Sequence, residues 1–216
     1  ILIYSVYQSI LKNRFNIKRV LLISVSLALL FLLRNFICLA LLPALFAWLL
    51  VAKTKWSAIP VFAAIYLFCG LLVFNIDAAV PKIKPLDIII AKQTAYLKLE
   101  KAATQIELMP LQPTFKSFAY NTPQAINHSF LRPYIWELPG KSVLPLSVEL
   151  LGYQFMILLL IFFRRKNHDS VQKSFLIFAC FFIFSVFLII GYIVPNLGSL
   201  VRYRSLYLPL IITPIL

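Results

Sequence analysis

Charge is what this sequence has least of. Asp, Glu, Lys and Arg make up 13% of the residues and hydrophobic types 62%, where a soluble domain carries roughly 25% and 45–50%. A soluble core of this length could not hide so much apolar surface, so the solvent that meets it has to be lipid. Histidine and cysteine are scarce too, at two and three residues. Cys38, Cys69 and Cys180 each lie inside an apolar stretch, with no CxxC pair and no disulfide framework among them. His128 and His168 fall on opposite sides of the membrane in the topology derived below, so they cannot share a metal. No metal site and no cofactor is expected. Glycine numbers five, and neither a GxxxxGKS/T nor a GxGxxG loop occurs. That excludes a glycine cradle for phosphate and, with it, nucleotide-driven transport by these residues. A serine nucleophile elbow is missing as well.

Basic residues are the exception to the shortage, giving a net charge of +14. Such a balance points to nucleic acid only where the cations form a soluble patch. Here Lys and Arg close the ends of apolar runs, where they report topology. No nucleic-acid partner is expected.

What the chain does have is a succession of apolar runs. Ile1–Ile10 reads as the end of a helix, and the start at Ile1 without methionine is expected of a piece of a longer protein. A basic cluster of Lys12, Arg14, Lys18 and Arg19 follows. Val20–Leu33 and Phe36–Val51 are apolar, separated by Arg34-Asn35, and Ile59–Phe74 comes after Lys53 and Lys55. Beyond a long polar segment, Val148–Phe163, Phe175–Val194 and Leu206 onward are apolar again, with a short polar link over Asn196–Arg204. The fold expected is an all-α, polytopic integral membrane protein with about six or seven membrane segments and one long extracytoplasmic loop. It divides into N-terminal spans over 1–74, the loop over 75–145 and C-terminal spans over 146–216.

Orientation follows from the positive charges. With the first cluster in the cytoplasm, Lys53/Lys55 and Arg164-Arg165-Lys166 also fall inside, as the positive-inside rule requires. Five of the seven acidic residues, Asp77, Asp87, Glu100, Glu107 and Glu137, then lie in the outer loop. The location expected is a bacterial inner membrane. Within the loop, Leu86–Met109 lacks Pro and Gly and carries good helix formers, which predicts a surface helix. Pro110–Pro145 holds six prolines. It is expected to form an irregular lid with one short helix near Pro123–Phe130.

Candidate site residues come from this topology. Arg34, Arg132, Arg202 and Arg204 face outward, away from the side where topology explains a cation. Their forked donors suit the oxygens of a lipid-linked phosphate; the plainer alternative is snorkelling to headgroups or pairing with loop carboxylates. Glu149, at the start of the apolar span LPLSVELLGY, and Glu137, near Arg132, are candidates for proton transfer. Both have an alternative role as carboxylates at the headgroup or in the solvated loop. His128 has the right titration range but no placed partner in the sequence. Asn127-His128-Ser129 also matches the glycosylation acceptor pattern. Phe130, Tyr134 and Trp136 are the candidate anchors if the loop docks a partner.

Two stretches carry a resemblance. NLGSLVRYRSLYLPL, from Asn196 to Leu210, has a Gly, then an Arg-Tyr-Arg step, then a Pro within the next apolar run. It resembles the late spans of lipid-phosphate-sugar glycosyltransferases and polysaccharide polymerases. NTPQAINHSFLRPYIWE, from Asn121 to Glu137 ahead of a span, is similar to loops of multi-spanning bacterial envelope proteins. The resemblance covers about a quarter of the chain, and the acidic motif of such transferases is not identifiable in it. It implies an envelope-glycan protein handling a polyprenyl-phosphate-linked sugar. Membrane lipids, a lipid-linked sugar and other membrane subunits are the partners that follow. The alternative is a non-enzymatic subunit of an envelope, secretion or transport complex.

Overall fold

The computed structural model describes residues 1–12, 16–82, 84–99, 104–137, 144–162 and 170–212. Among them the α-helices are α1 (Leu2–Leu11), α2 (Ile17–Thr54), α3 (Ala58–Ala79), α4 (Pro85–Leu97), α5 (Phe115–Ile126), α6 (Leu144–Phe162), α7 (Ser170–Ile193), α8 (Leu197–Tyr207) and α9 (Pro209–Ile212). A π-helical turn, Asn127–Leu131, continues α5, and a 3-10 turn covers Ile135–Glu137. The fold is all-helical, and no strand occurs among the described residues. Among the described residues three stretches are long and apolar enough to cross a membrane: Phe36–Thr54, Ala58–Ala79 and Gln172–Ile193. Leu144–Leu159 is apolar but shorter. The six or seven segments expected from the hydropathy are not confirmed by this count.

Two compact units divide the chain: Ile1–Cys69 with Arg165–Phe182, and Gly70–Arg164 with Ile183–Leu216. The polar segment over 75–145 therefore clusters with the C-terminal helices.

The first unit is built on aromatic packing. Trp48 is fully buried on α2 and stacks on Phe178 of α7 at 4.6 Å. Its indole N–H donates to Ser174 Oγ at 3.2 Å, which removes the cost of burying that donor. Ala44 and Ala47 beside it are completely buried, small enough for helices to approach closely. Tyr7 of α1 reaches Phe175 at 5.4 Å, and Phe62 of α3 reaches Phe181 at 5.3 Å. Arg34 interrupts α2 with non-helical backbone angles, φ −149° and ψ 69°. The break falls where the sequence places Arg34-Asn35 between two apolar runs.

The second unit corrects two expectations about local structure. The helix predicted over Leu86–Met109 ends at Leu97, and residues 104–106 instead run beside 195–197. Ile106 N donates to Pro195 O at 2.8 Å and Leu197 N to Thr104 O at 3.1 Å. Good helix propensity is overruled by this pairing, since propensity is a weak prior against tertiary hydrogen bonds. The short helix expected near Pro123 begins eight residues earlier, at Phe115. Thr114 caps it, its hydroxyl accepting from Ser117 N at 3.3 Å. Pro123 sits inside α5 on an exposed face, so the carbonyl of exposed Ala119 that loses its donor meets solvent.

Two glutamines clamp this unit. Gln93 of α4, 2% exposed, donates to Met109 O at 3.1 Å and Tyr192 O at 2.9 Å, and accepts from Leu111 N at 3.0 Å. Gln124 of α5 accepts from Met109 N and donates to Glu107 O. The extended stretch over 107–111 is thereby tied on both sides. At the end of α7, the Tyr192 hydroxyl meets Thr122 Oγ1 at 2.6 Å and donates to Phe118 O. Gly191 is required by proximity: a Cβ there would lie 2.2 Å from the carbonyl oxygen of Ala125.

Candidate anion site around Arg204

The short polar link over Asn196–Arg204 is largely helical, as α8. Pro195 prevents α7 from continuing, and Asn196 caps α8 by accepting from Gly198 N at 2.9 Å. Helical geometry then decides what Arg202 and Arg204 do. Two residues apart, they point to different sides of α8. Arg202 is exposed and Arg204 is buried, with 4% of its surface accessible. Of the two, only Arg204 turns inward.

Arg204 is under-satisfied for a buried cation. Its Nη2 donates to the carbonyl oxygen of His128 at 3.5 Å, at the long limit for such a bond. Its Nε–H is buried and has no hydrogen-bond partner among the described residues. Burial pushes the guanidinium down to about 10, and the charge of Glu149 on α6 partly restores it. A depression of that size corresponds to about 3 kcal/mol of unfavourable burial. Glu149 itself is exposed near the start of α6, so its charge acts on Arg204 from a solvated position.

The π-helical turn brings His128 to this arginine. Arg132 N donates to Asn127 O, five residues back, and the extra residue per turn places His128 and Ser129 inward, at 3% and 1% exposure. Arg132 Nη1 lies 3.1 Å from His128 Nε2. Since a guanidinium can only donate, Nε2 accepts and the neutral ring carries its proton on Nδ1. Two candidate arginines thus meet one histidine, Arg132 at its ring and Arg204 at its carbonyl. Ser129 Oγ is spent on Ala125 O at 2.8 Å, and Asn127 Oδ1 accepts from the Tyr134 hydroxyl. Folded into a helical turn with Ser129 buried, Asn127-His128-Ser129 is not an exposed glycosylation acceptor.

The other candidates go elsewhere. Arg34 is exposed at the break in α2, in the first unit. Glu137 closes the 3-10 turn. Phe130 faces inward, packing edge-on against Phe187 at 4.8 Å, while Gln154 of α6 donates to its carbonyl at 3.1 Å. Tyr134 and Trp136 stack at 4.8 Å with planes 8° apart, and Trp136 is 80% exposed. His168 and Arg164-Arg165-Lys166 lie outside the described residues. Among the described residues no group of three His, Cys, Asp or Glu could hold a metal.

Sequence reasoning missed Gln93, Gln124, Tyr192 and Gly191. Only Tyr192 carried a signal, as a tyrosine at the end of an apolar run next to Gly and ahead of Pro. Fold and site together describe an all-helical protein with membrane-length apolar helices and a buried, under-satisfied arginine. No known family, characterised protein or solved structure matches the chain.

Proposed function

We propose that this is an integral membrane protein of cell-envelope glycan assembly that handles a polyprenyl-phosphate-linked sugar at the outer face. In this account Arg204 and Arg132 hold the phosphate, and Glu149 assists proton transfer. The observation that carries it is the buried Nε–H of Arg204, which an anionic oxygen would satisfy together with the neighbouring Nη donor. A phosphate also supplies the negative charge that the burial of Arg204 otherwise lacks. Catalysis would come mainly from positioning and charge neutralisation. The resemblance of Asn196–Leu210 to the late spans of lipid-phosphate-sugar enzymes supports the same substrate class.

The accompanying topology has six or seven membrane segments, α5 and the π-helical turn outside, and a bacterial inner membrane as the location. It rests on the positive-inside count. The first half of α2 and α6 supply apolar segments beyond the three long ones. Turnover of lipid-linked glycan in cells carrying Arg204→Ala or Arg132→Ala tests the function. Each substitution is expected to lower turnover at least tenfold at normal protein level, and unchanged turnover in both removes it.

A non-enzymatic role in an envelope, secretion or transport complex draws on one observation. The stacked Tyr134–Trp136 pair offers an exposed aromatic anchor of the kind that dominates interfaces. In that case a partner co-purifies with the wild type and is lost with Trp136→Ala, while glycan turnover by Arg204→Ala is unaltered.

A further inference from the structure

A groove of about 480 Å³ opens beside the first turns of α5, within the second unit. Its polar lining is Gln112, Thr114, Lys116, Ser117, Tyr120 and Asn121, and Met109 and Pro110 supply the apolar part. Some of that polarity is already used. Thr114 caps the helix, Ser117 Oγ accepts from Gln112 N at 3.0 Å, and Asn121 Nδ2 donates to Ser117 O at 2.8 Å. The side chains of Gln112, Lys116 and Tyr120 have no hydrogen bond among the described residues. Asn121, 5% exposed, keeps a buried amide oxygen with no partner.

The character of the ligand follows from this inventory. The lining is mixed, with amides and hydroxyls set beside Met109, Pro110 and the Tyr120 ring, and that mixture suits a ligand with both polar groups and a flat apolar face better than an acyl chain. No carboxylate, histidine or cysteine is among its lining residues, so the groups it offers a ligand are amides, hydroxyls and one ammonium. Mixed donors and acceptors match a ligand whose every group can do both, which is the property of a hydroxyl. Tyr120, 73% exposed, adds a flat ring face, and Asn121 adds an acceptor that a hydroxyl could satisfy.

We infer that this groove is a saccharide-binding subsite, recognising the hydroxyls of a glycan through Gln112, Asn121 and Lys116 with one sugar ring laid on Tyr120. The site is separate from Arg204 and does not need the protein to be an enzyme. Binding here would hold a glycan chain whether or not its lipid phosphate is processed.

The test uses the purified full chain in lipid nanodiscs, titrated with maltohexaose, chitohexaose and a hexameric uronate, each followed by saturation-transfer NMR and calorimetry. At least one is expected to bind saturably. Affinity should fall tenfold or more in Tyr120→Ala and in Gln112→Ala, both at exposed positions where the fold tolerates truncation, and stay unchanged in Arg204→Ala. Preference for the uronate would place Lys116 on its carboxylate and supports the same site. Three results overturn the inference: no binding by any of the three, binding that survives the Tyr120→Ala and Gln112→Ala pair, or competition by inorganic phosphate alone. Loss of glycan turnover in Arg204→Ala with saccharide binding intact would leave this subsite standing and bear only on the phosphate site.

Discussion

Arg204 is a charge in a place that apolar packing would fill more cheaply. A buried cation with one long hydrogen bond and an unmet Nε–H is held against its desolvation cost. Replacing it with an apolar side chain of similar length should therefore stabilise the protein while removing the anion affinity proposed for it. Arg204→Met is expected to raise stability by about 1–3 kcal/mol, read as a higher midpoint in detergent melting. Its pH dependence has a definite sign. Arg204 is depressed from its ordinary value to about 10 in the folded protein, so between the two the unfolded chain binds more protons and stability rises with pH. Wild type minus Arg204→Met should show that rise above pH 10 and a constant penalty below it. The arginine itself was legible in the sequence as an outward cation needing a reason. That it turns inward while Arg202 stays exposed was not, because the stretch read only as a short polar link and helical geometry is what separates the two side chains.

At the scale of elements, the structure depends on side chains that bond to backbone. Gln93→Leu keeps the volume but strands Met109 O, Tyr192 O and Leu111 N, and each unmet buried group costs about 1–3 kcal/mol. Hydrogen exchange of 107–112 should accelerate by at least tenfold in that variant while the first unit keeps its protection. Gly191→Ala pushes a methyl into the backbone of Ala125, where neither helix can yield by a rotamer change. The cost expected is about 1–3 kcal/mol, with α5 becoming protease-sensitive. Neither contact could be read from the chain. Gln93 sits in an unremarkable run of helix formers, and its partners are Met109 and Leu111 across a turn and Tyr192 far along the sequence. What could be read was local: the Thr114 and Asn196 caps are visible as residue types, and Pro195 as a stop. The proline density over 110–145 was overread, since a proline on an exposed helical face costs less than one whose lost donor is buried.

At the scale of the whole molecule, composition alone separated apolar from polar segments, and the three long apolar helices among the described residues fall where the hydropathy placed runs. The number of crossings is less accessible to sequence, because apolar runs shorter than about 20 residues need not each be a full span. Thiol labelling of Lys116→Cys and Lys53→Cys in a background lacking Cys38, Cys69 and Cys180 checks the proposed orientation. A membrane-impermeant reagent on intact cells should label the first and not the second; the reverse pattern inverts the topology. The central claim is tested most directly by 31P NMR titration of the purified protein with a short-chain polyprenyl diphosphate. Saturable binding to the wild type that weakens at least tenfold in a folded Arg204→Met variant is the predicted result. Equal binding by the two proteins would contradict it.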